Sequence, residues 1–149
     1  MTTENEPLLL DTHLWIWLNE GAPGLSDAVV RRIDRAAARG QVFVSIMSVW
    51  EVGLLDAKRR VVLGLDLPIW VERALAPPIR LAALTPTIAL ECNWLPGGLH
   101  GDPVDRILVA TARVEGHAAD PRSRPAGLRR QRPYSRSRRL IAATRCRDT

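Results

Sequence analysis

The sequence predicts a three-layer α/β fold in which helices cover both faces of a central parallel sheet. Short apolar runs alternate along the chain with stretches of helical periodicity, which is the pattern of such folds. The first run, Leu8–Leu10, stops at Asp11 and passes directly into a helical pattern, as a buried parallel strand does when a helix follows it. The length of 149 residues and the hydrophobic content of 46% suit one domain with its own core.

The first half of this fold is predicted from turn and cap residues. The helix after Asp11 ends in a turn at residues 20–24, where glycine and proline interrupt the helical pattern. Ser26 then caps a second helix, and Gly40 ends it in the position after the C-cap. Residues 41–44 are largely β-branched and aromatic, so they form the second predicted strand.

The third helix follows this strand directly. Either Ser45 or Ser48 caps it, and the cations at residues 58–60 suit its C-terminal end. A short helix begins at Leu67, and the prolines at residues 77–78 terminate it.

The second half of the fold repeats the alternation of strand and helix. Residues 79–84 are the third predicted strand, and Thr85 precedes a helix with proline at an allowed early position. Residues 95–101 form a loop, after which Asp102 begins a strongly periodic helix that stops at Gly116.

The charge is distributed unevenly along the chain. The net charge is +5, but residues 1–116 carry −3 and residues 117–149, with ten arginines, carry +8. The basic segment has almost no helical or strand period, although a sheet that ends on a helix should continue with one more strand. We therefore predict a folded domain at 1–116 whose last strand is missing or altered. Residues 117–149 are predicted to be an Arg-rich tail, disordered or translated out of frame.

Other features of the sequence indicate a cytoplasmic protein. Residues 1–6 are acidic and lack the basic region of a secretory signal, and the apolar run at 81–90 is too short to span a membrane. Cys92 and Cys146 are expected to be reduced thiols, because two cysteines form neither a disulfide framework nor a zinc site here.

Four acids occupy positions where they could act together. Asp11 follows the first strand, Glu51 lies in an apolar helix after the second, and Asp102 and Asp105 begin the last helix. No lysine or arginine lies three or four residues from Glu51, so its partner must come from elsewhere in the fold. Converging carboxylates repel one another, and a divalent cation such as Mg²⁺ reverses that effect. Such a site supports hydrolysis of a phosphodiester.

Each of these residues also has a purely structural interpretation. Asp11 and Asp102 could be helix caps, and Thr12 could either cap a helix or steady a metal-bound water or a phosphate. His13 and His100 are expected to pack or to form hydrogen bonds, because no second ligand lies at a suitable spacing. Three tryptophans are predicted to be core residues, with nucleobase stacking as the alternative: Trp15, Trp17 and Trp50.

Three motifs in this order resemble the PIN-domain family, and in particular the VapC-type toxin ribonucleases of bacterial toxin–antitoxin pairs. The first motif is Leu-Leu-Asp-Thr-His-Leu-Trp at residues 9–15. The second is Val-Ser-Ile-Met-Ser-Val-Trp-Glu-Val-Gly at residues 44–53. The third is His-Gly-Asp-Pro-Val-Asp-Arg-Ile-Leu-Val-Ala-Thr-Ala at residues 100–112, and the resemblance as a whole extends from residue 7 to about 116.

The resemblance implies an endoribonuclease that depends on Mg²⁺ or Mn²⁺, is inhibited by a cognate antitoxin and forms a homodimer. It places the catalytic, metal-binding acids of the family at Asp11, Glu51 and Asp105, with Asp102 as a frequent companion in the metal site. Most such proteins have a fourth acid in a Thr-x-Asp turn after the last strand, and this chain has no such motif.

A frameshift near Gly116 is our hypothesis for this departure. The segment at residues 117–123 can be encoded so that a shift of one base gives Thr-Leu-Leu-Thr-Arg-Asp, a strand followed by the absent motif. The genomic DNA decides between the two origins of the tail.

Two functions remain open from the sequence. In the first, the acids hold a cation that orients water against an RNA phosphodiester. In the second, the domain is catalytically impaired and acts by binding an antitoxin or, through its basic tail, nucleic acid.

Overall fold

The computed structural model describes residues 6–21, 23, 25–95 and 102–117. In this part of the chain, parallel strands form one sheet in the order β1-β2-β3. The strands are β1 (Leu8–Leu10), β2 (Val42–Ser45) and β3 (Ile79–Ala82). The helices are α1 (Thr12–Glu20), α2 (Asp27–Ala38), α3 (Ile46–Ala57), α4 (Leu67–Ala74), α5 (Pro86–Glu91) and α6 (Pro103–Glu115).

The sheet is covered by helices on both faces, which confirms the predicted three-layer α/β fold. Alternate residues of a strand point to opposite faces, so Leu10 and Val44 join the core shared with helices α1 to α4. Leu9 and Phe43 point the other way and pack with α6. The strands are apolar on both faces because both faces are buried, as parallel sheets require.

Short polar side chains cap the N-terminal ends of several helices, as the sequence predicts. Ser26 accepts a hydrogen bond from the backbone N–H of Val29, and Thr85 accepts one from Ile88. Ser45, one of the two candidate caps of α3, accepts from the N–H of Met47 at 3.1 Å. Ser48 is therefore not the cap, and its hydroxyl is used elsewhere.

Tryptophan side chains attach α4 to α1. The Trp15 indole is fully buried, meets the Trp70 ring edge-on at 4.9 Å between centroids, and donates to the carbonyl of Ala74 at 3.0 Å. The indole N–H of Trp70 in turn donates to the Glu20 carboxylate at 2.6 Å, and the backbone N–H of Gly64 donates to the same carboxylate. These contacts hold the segment after α3 against α1, the helix that Asp11 caps.

Three expectations from the sequence differ from the structure. Trp50 is not a core residue, because 56% of it is exposed on the outer side of α3, whereas Trp15 is buried as predicted. The third strand ends at Ala82 instead of residue 84, since the chain leaves the sheet before the cap of α5. Helix α4 ends at Ala74, before the two prolines that were expected to terminate it.

Several expectations lie outside the described residues: the loop at 96–101 with His100, the thiol of Cys146, and the tail from residue 118 onward. Cys92 is described and is a free thiol. None of the helices in the described ranges has the length and hydrophobicity that a bilayer span needs.

His117 belongs to the fold, although the sequence assigns it to the tail. Only 6% of it is exposed, and its ring stacks on Phe43 with 4.4 Å between centroids. Its backbone N–H donates to the carbonyl of Ala112, so α6 ends in a turn that returns the chain to the sheet. Burial lowers the pKa of His117 to about 4.

We expect protonation of His117 to destabilise the protein in acid. A folded pKa of about 4 lies below the ordinary 6.5, so the native state binds fewer protons and stability falls as pH drops through this interval. The loss should be roughly 2–3 kcal/mol at about pH 4 relative to a His117→Phe variant, whose ring can stack without titrating. Urea denaturation of both proteins across this range measures it. Parallel pH profiles for the two proteins would contradict the assignment.

Candidate metal and active site

The carboxyl ends of β1 and β2 and the first turn of α6 carry the four predicted acids. Asp11 follows β1 immediately, and Glu51 lies in the second turn of α3, which follows β2. Asp102 and Asp105 lie at the beginning of α6. Asp11 and the helix that carries Glu51 follow neighbouring parallel strands, whose carboxyl ends lie at the same edge of the sheet.

Asp11 and Asp102 are helix caps, as the structural interpretation proposes. The Oδ1 atom of Asp11 accepts a hydrogen bond from the N–H of Leu14 at 2.7 Å, and Oδ1 of Asp102 accepts from Val104 at 2.8 Å. Capping and metal binding are compatible because an ionised carboxylate has about four acceptor positions. Each cap also fixes its carboxylate relative to a helix N-terminus.

The surroundings of Asp105 strongly affect its ionisation. Its pKa is raised to about 7, first by burial and then by the negative charges of Asp102 and Asp11. Asp105 therefore lies close enough to the other two carboxylates for their charges to disfavour its ionised form. A divalent cation bound between the carboxylates would compensate their negative charges. Without a cation, placing these charges close together gives the protein no energetic advantage.

Glu51 is almost completely buried, with 1% of it exposed, and its partner is distant in sequence as predicted. The Thr12 hydroxyl forms a hydrogen bond with its Oε2 atom. Thr12 Oγ1 also lies 3.1 Å from the hydroxyl oxygen of Ser48. Thr12 and Ser48 are both buried. Glu51 therefore lies beside polar side chains of α1 and α3, although its neighbours in sequence are apolar.

The sequence did not identify Ser48 as a residue that contacts Thr12 beside Glu51. Ser48 lies three residues before Glu51, which puts both side chains on one face of α3, and Thr12 follows Asp11 directly. That spacing is a usable signal. It could not show that the two helix starts meet, because the contact depends on how α1 packs against α3.

The donor set is composed of carboxylate oxygens, which suit a hard cation such as Mg²⁺ or Mn²⁺ better than zinc. Across the described residues, no three Asp, Glu, His or Cys side chains are grouped closely enough to hold a metal ion. The acids thus influence one another electrostatically without forming a coordination sphere. His13 lies near Trp17, at 5.6 Å between ring centroids, so the packing interpretation fits it.

Contacts between α5 and α6 position the segment that carries Asp105. The Arg106 guanidinium donates to the carbonyl of Cys92 at 2.6 Å. Farther along α6, Arg113 forms an ion pair with Glu91 at 3.2 Å. Helix α6 is thereby attached at two points along its length, in addition to its packing on the sheet.

Known proteins match most of the chain in sequence. A family model described as "PIN domain" matches residues 8–119, a range that contains all four acids. The chain is also similar to "Ribonuclease VapC22" of Mycobacterium tuberculosis (strain ATCC 25618 / H37Rv). The two are 31% identical over 109 residues, which is 73% of this chain and 81% of that protein.

Proposed function

Because the chain belongs to the PIN-domain family, we propose that it is a divalent-metal-dependent endoribonuclease, the toxin of a toxin–antitoxin pair. Its similarity to a protein named as a ribonuclease supports RNA as the substrate. The proposal includes a cytoplasmic protein, a homodimer and a small cognate antitoxin as inhibitor, as the VapC-type resemblance implies.

The placement of Asp105 beside the negative charges of Asp102 and Asp11 is the observation that carries this proposal. Burial of the side chain, followed by the negative charges of Asp102 and Asp11, raises the pKa of Asp105 to about 7. A protein gains nothing from placing three like charges together unless another charge compensates them. The buried carboxylate of Glu51 lies beside the same segment, since its partner Thr12 is the residue after Asp11.

The residues would divide the work of the site between them. Asp11, Glu51 and Asp105 would hold Mg²⁺ or Mn²⁺, with Asp102 contributing charge or an additional ligand. When bound, the cation lowers the pKa of a water molecule and stabilises the oxygen that leaves the phosphodiester. Asp105 must lose its proton to bind a cation, so metal affinity should increase as the pH rises toward and above about 7.

Titration with Mg²⁺ of the full-length chain and an RNA oligonucleotide tests the proposal. We expect cleavage to depend on Mg²⁺ and to fall by at least about 100-fold in Asp11→Asn and in Glu51→Gln, because each removes a charge that a cation needs. Asp34→Asn is the matched control, since Asp34 is an exposed acid on α2. Cleavage without Mg²⁺, or equal cleavage by the three variants, would refute the proposal.

A catalytically impaired binding module is the second candidate. It is favoured by the finding that no three acids are grouped around a metal position within the described residues. In that case the protein would bind an antitoxin, or nucleic acid through its basic tail. Binding of RNA that needs no metal, weakens steeply with salt and is lost on deletion of residues 118–149 would support this candidate. The deletion begins after His117 because that residue is part of the fold.

A further inference from the structure

We propose that the hydroxyl groups of Ser48 and Thr12 form a hydrogen-bonded chain that holds the Glu51 carboxylate in one orientation for metal binding. In this chain Thr12 contacts Glu51 directly, and Ser48 is a positioning residue that acts through Thr12. The inference rests on the proposed function and extends it, because it assigns a role to two uncharged residues.

The three side chains are in hydrogen-bond contact inside the protein. Thr12 Oγ1 is hydrogen-bonded to Glu51 Oε2 and lies 3.1 Å from Ser48 Oγ. Thr12, Ser48 and Glu51 are each no more than 1% exposed. Bulk water therefore does not compete for these contacts, and hydrogen bonds to a charged group are strongest in such surroundings.

The direction of the hydrogen bonds follows from the number of protons available. A hydroxyl group has one hydrogen, and an ionised carboxylate can only accept. While Glu51 is ionised, Thr12 donates its one hydrogen to Glu51, so the bond between Thr12 and Ser48 requires Ser48 to donate. Each bond polarises the next, so the Ser48 hydroxyl strengthens the donor that faces the carboxylate.

The fold explains why these residues meet. Leu10 of β1 pairs with Val44 of β2 in the parallel register, so both chains reach the carboxyl edge of the sheet side by side. Thr12 lies two residues after Leu10, at the start of α1, and Ser48 lies four residues after Val44, in the first turn of α3. The hydroxyl chain therefore links the segment that carries Asp11 to the helix that carries Glu51.

Positioning and simple stabilisation predict different results. If the hydroxyl groups only satisfy a buried acid, their loss lowers the stability of the protein and leaves the metal affinity of the folded molecules unchanged. If they orient Glu51, the folded molecules bind metal more weakly. Residues that orient metal ligands in other proteins typically change affinity by about 10- to 100-fold when they are removed.

The decisive measurement is the Mn²⁺ affinity of the full-length protein, obtained by calorimetry or by electron paramagnetic resonance. We expect Thr12→Val to weaken Mn²⁺ binding by about 10- to 100-fold and Ser48→Ala by about 3- to 10-fold, while Thr12→Ser stays within about 3-fold of wild type. Because Ser48 acts through Thr12, the double variant Thr12→Val/Ser48→Ala should bind within about 2-fold of Thr12→Val alone. The kcat for RNA should fall in the same order, with little change in KM.

Thr111→Val is the matched control. Thr111 is also buried, and its hydroxyl donates to the carbonyl of Ile107 within α6 at 2.7 Å, without contacting any of the four acids in the described contacts. Its removal should leave the Mn²⁺ affinity unchanged. Urea denaturation in EDTA confirms that each variant is folded before its affinity is measured.

The outcomes separate this inference from the proposed function. Wild-type protein that binds no Mn²⁺ would overturn both. If wild type binds Mn²⁺ and Ser48→Ala binds it equally tightly, the inference alone is overturned. The same holds if the losses of the two single variants multiply in the double variant, or if Thr111→Val is affected as much as Ser48→Ala.

Discussion

Replacing Asp105 with asparagine is expected to stabilise the metal-free protein at about pH 8 while reducing metal-dependent ribonuclease activity by at least about 100-fold. The folded pKa of Asp105 is about 7, well above the ordinary value of 3.8. The native state therefore binds more protons than the unfolded state between these values, so stability falls as pH rises from about 4 to about 7. Asparagine has a similar shape and does not ionise, so the variant escapes this loss.

The expected gain in unfolding free energy is on the order of 2 kcal/mol above about pH 7, a figure that allows for partial exposure of the side chain. Urea denaturation in EDTA, at several pH values, measures it. Addition of Mg²⁺ should make wild type the more stable of the two proteins. A cation at 100 times its Kd stabilises wild type by about 2.7 kcal/mol, whereas the variant lacks one of the ligands and gains less. If the two proteins were equally stable in EDTA at every pH, the acids would not be repelling one another.

Replacing Trp15 with alanine is expected to have the largest effect on stability, a loss of about 3–5 kcal/mol. The indole is fully buried, contacts the Trp70 ring and donates a hydrogen bond to the end of α4. Its removal opens a cavity between α1 and α4 and leaves the carbonyl of Ala74 without this donor. Activity should fall as well, because α1 begins with the residues that follow Asp11.

Trp50→Ala is the matched control for this prediction. Trp50 is 56% exposed, so its removal should change the unfolding free energy by no more than about 0.5 kcal/mol. The midpoints of urea denaturation of the two variants give the comparison. A similar loss in both would mean that the Trp15 packing is not what joins α1 to α4.

Much of the fold could be predicted because its signals are local. Ser26 and Asp102 cap helices through hydrogen bonds that close within three residues, and Gly40 and Gly116 end helices with a positive φ that glycine adopts without strain. The position of Asp11 could also be predicted, because a residue that directly follows a parallel strand lies at the carboxyl edge of the sheet.

The remaining features depend on residues far apart in the chain. Periodicity placed Trp50 in the core because apolar neighbours surround it in sequence, yet nothing in the described fold covers that side of α3. It placed His117 in the tail, whereas the ring stacks on a residue of β2. Neither result could be derived from the local pattern, since burial is decided by which elements pack together.

The sequence by itself determined the order of strands and helices, the caps, and the place of Asp11 directly after a parallel strand, because each of these follows from neighbouring residues and from the geometry of a parallel strand. Only the tertiary structure decided which groups touch there. It joined Glu51 to Thr12 and Ser48, and it brought Asp11 and Asp102 near enough to raise the pKa of Asp105. The physical reason is that these distances depend on how α1, α3 and α6 pack against the sheet and one another.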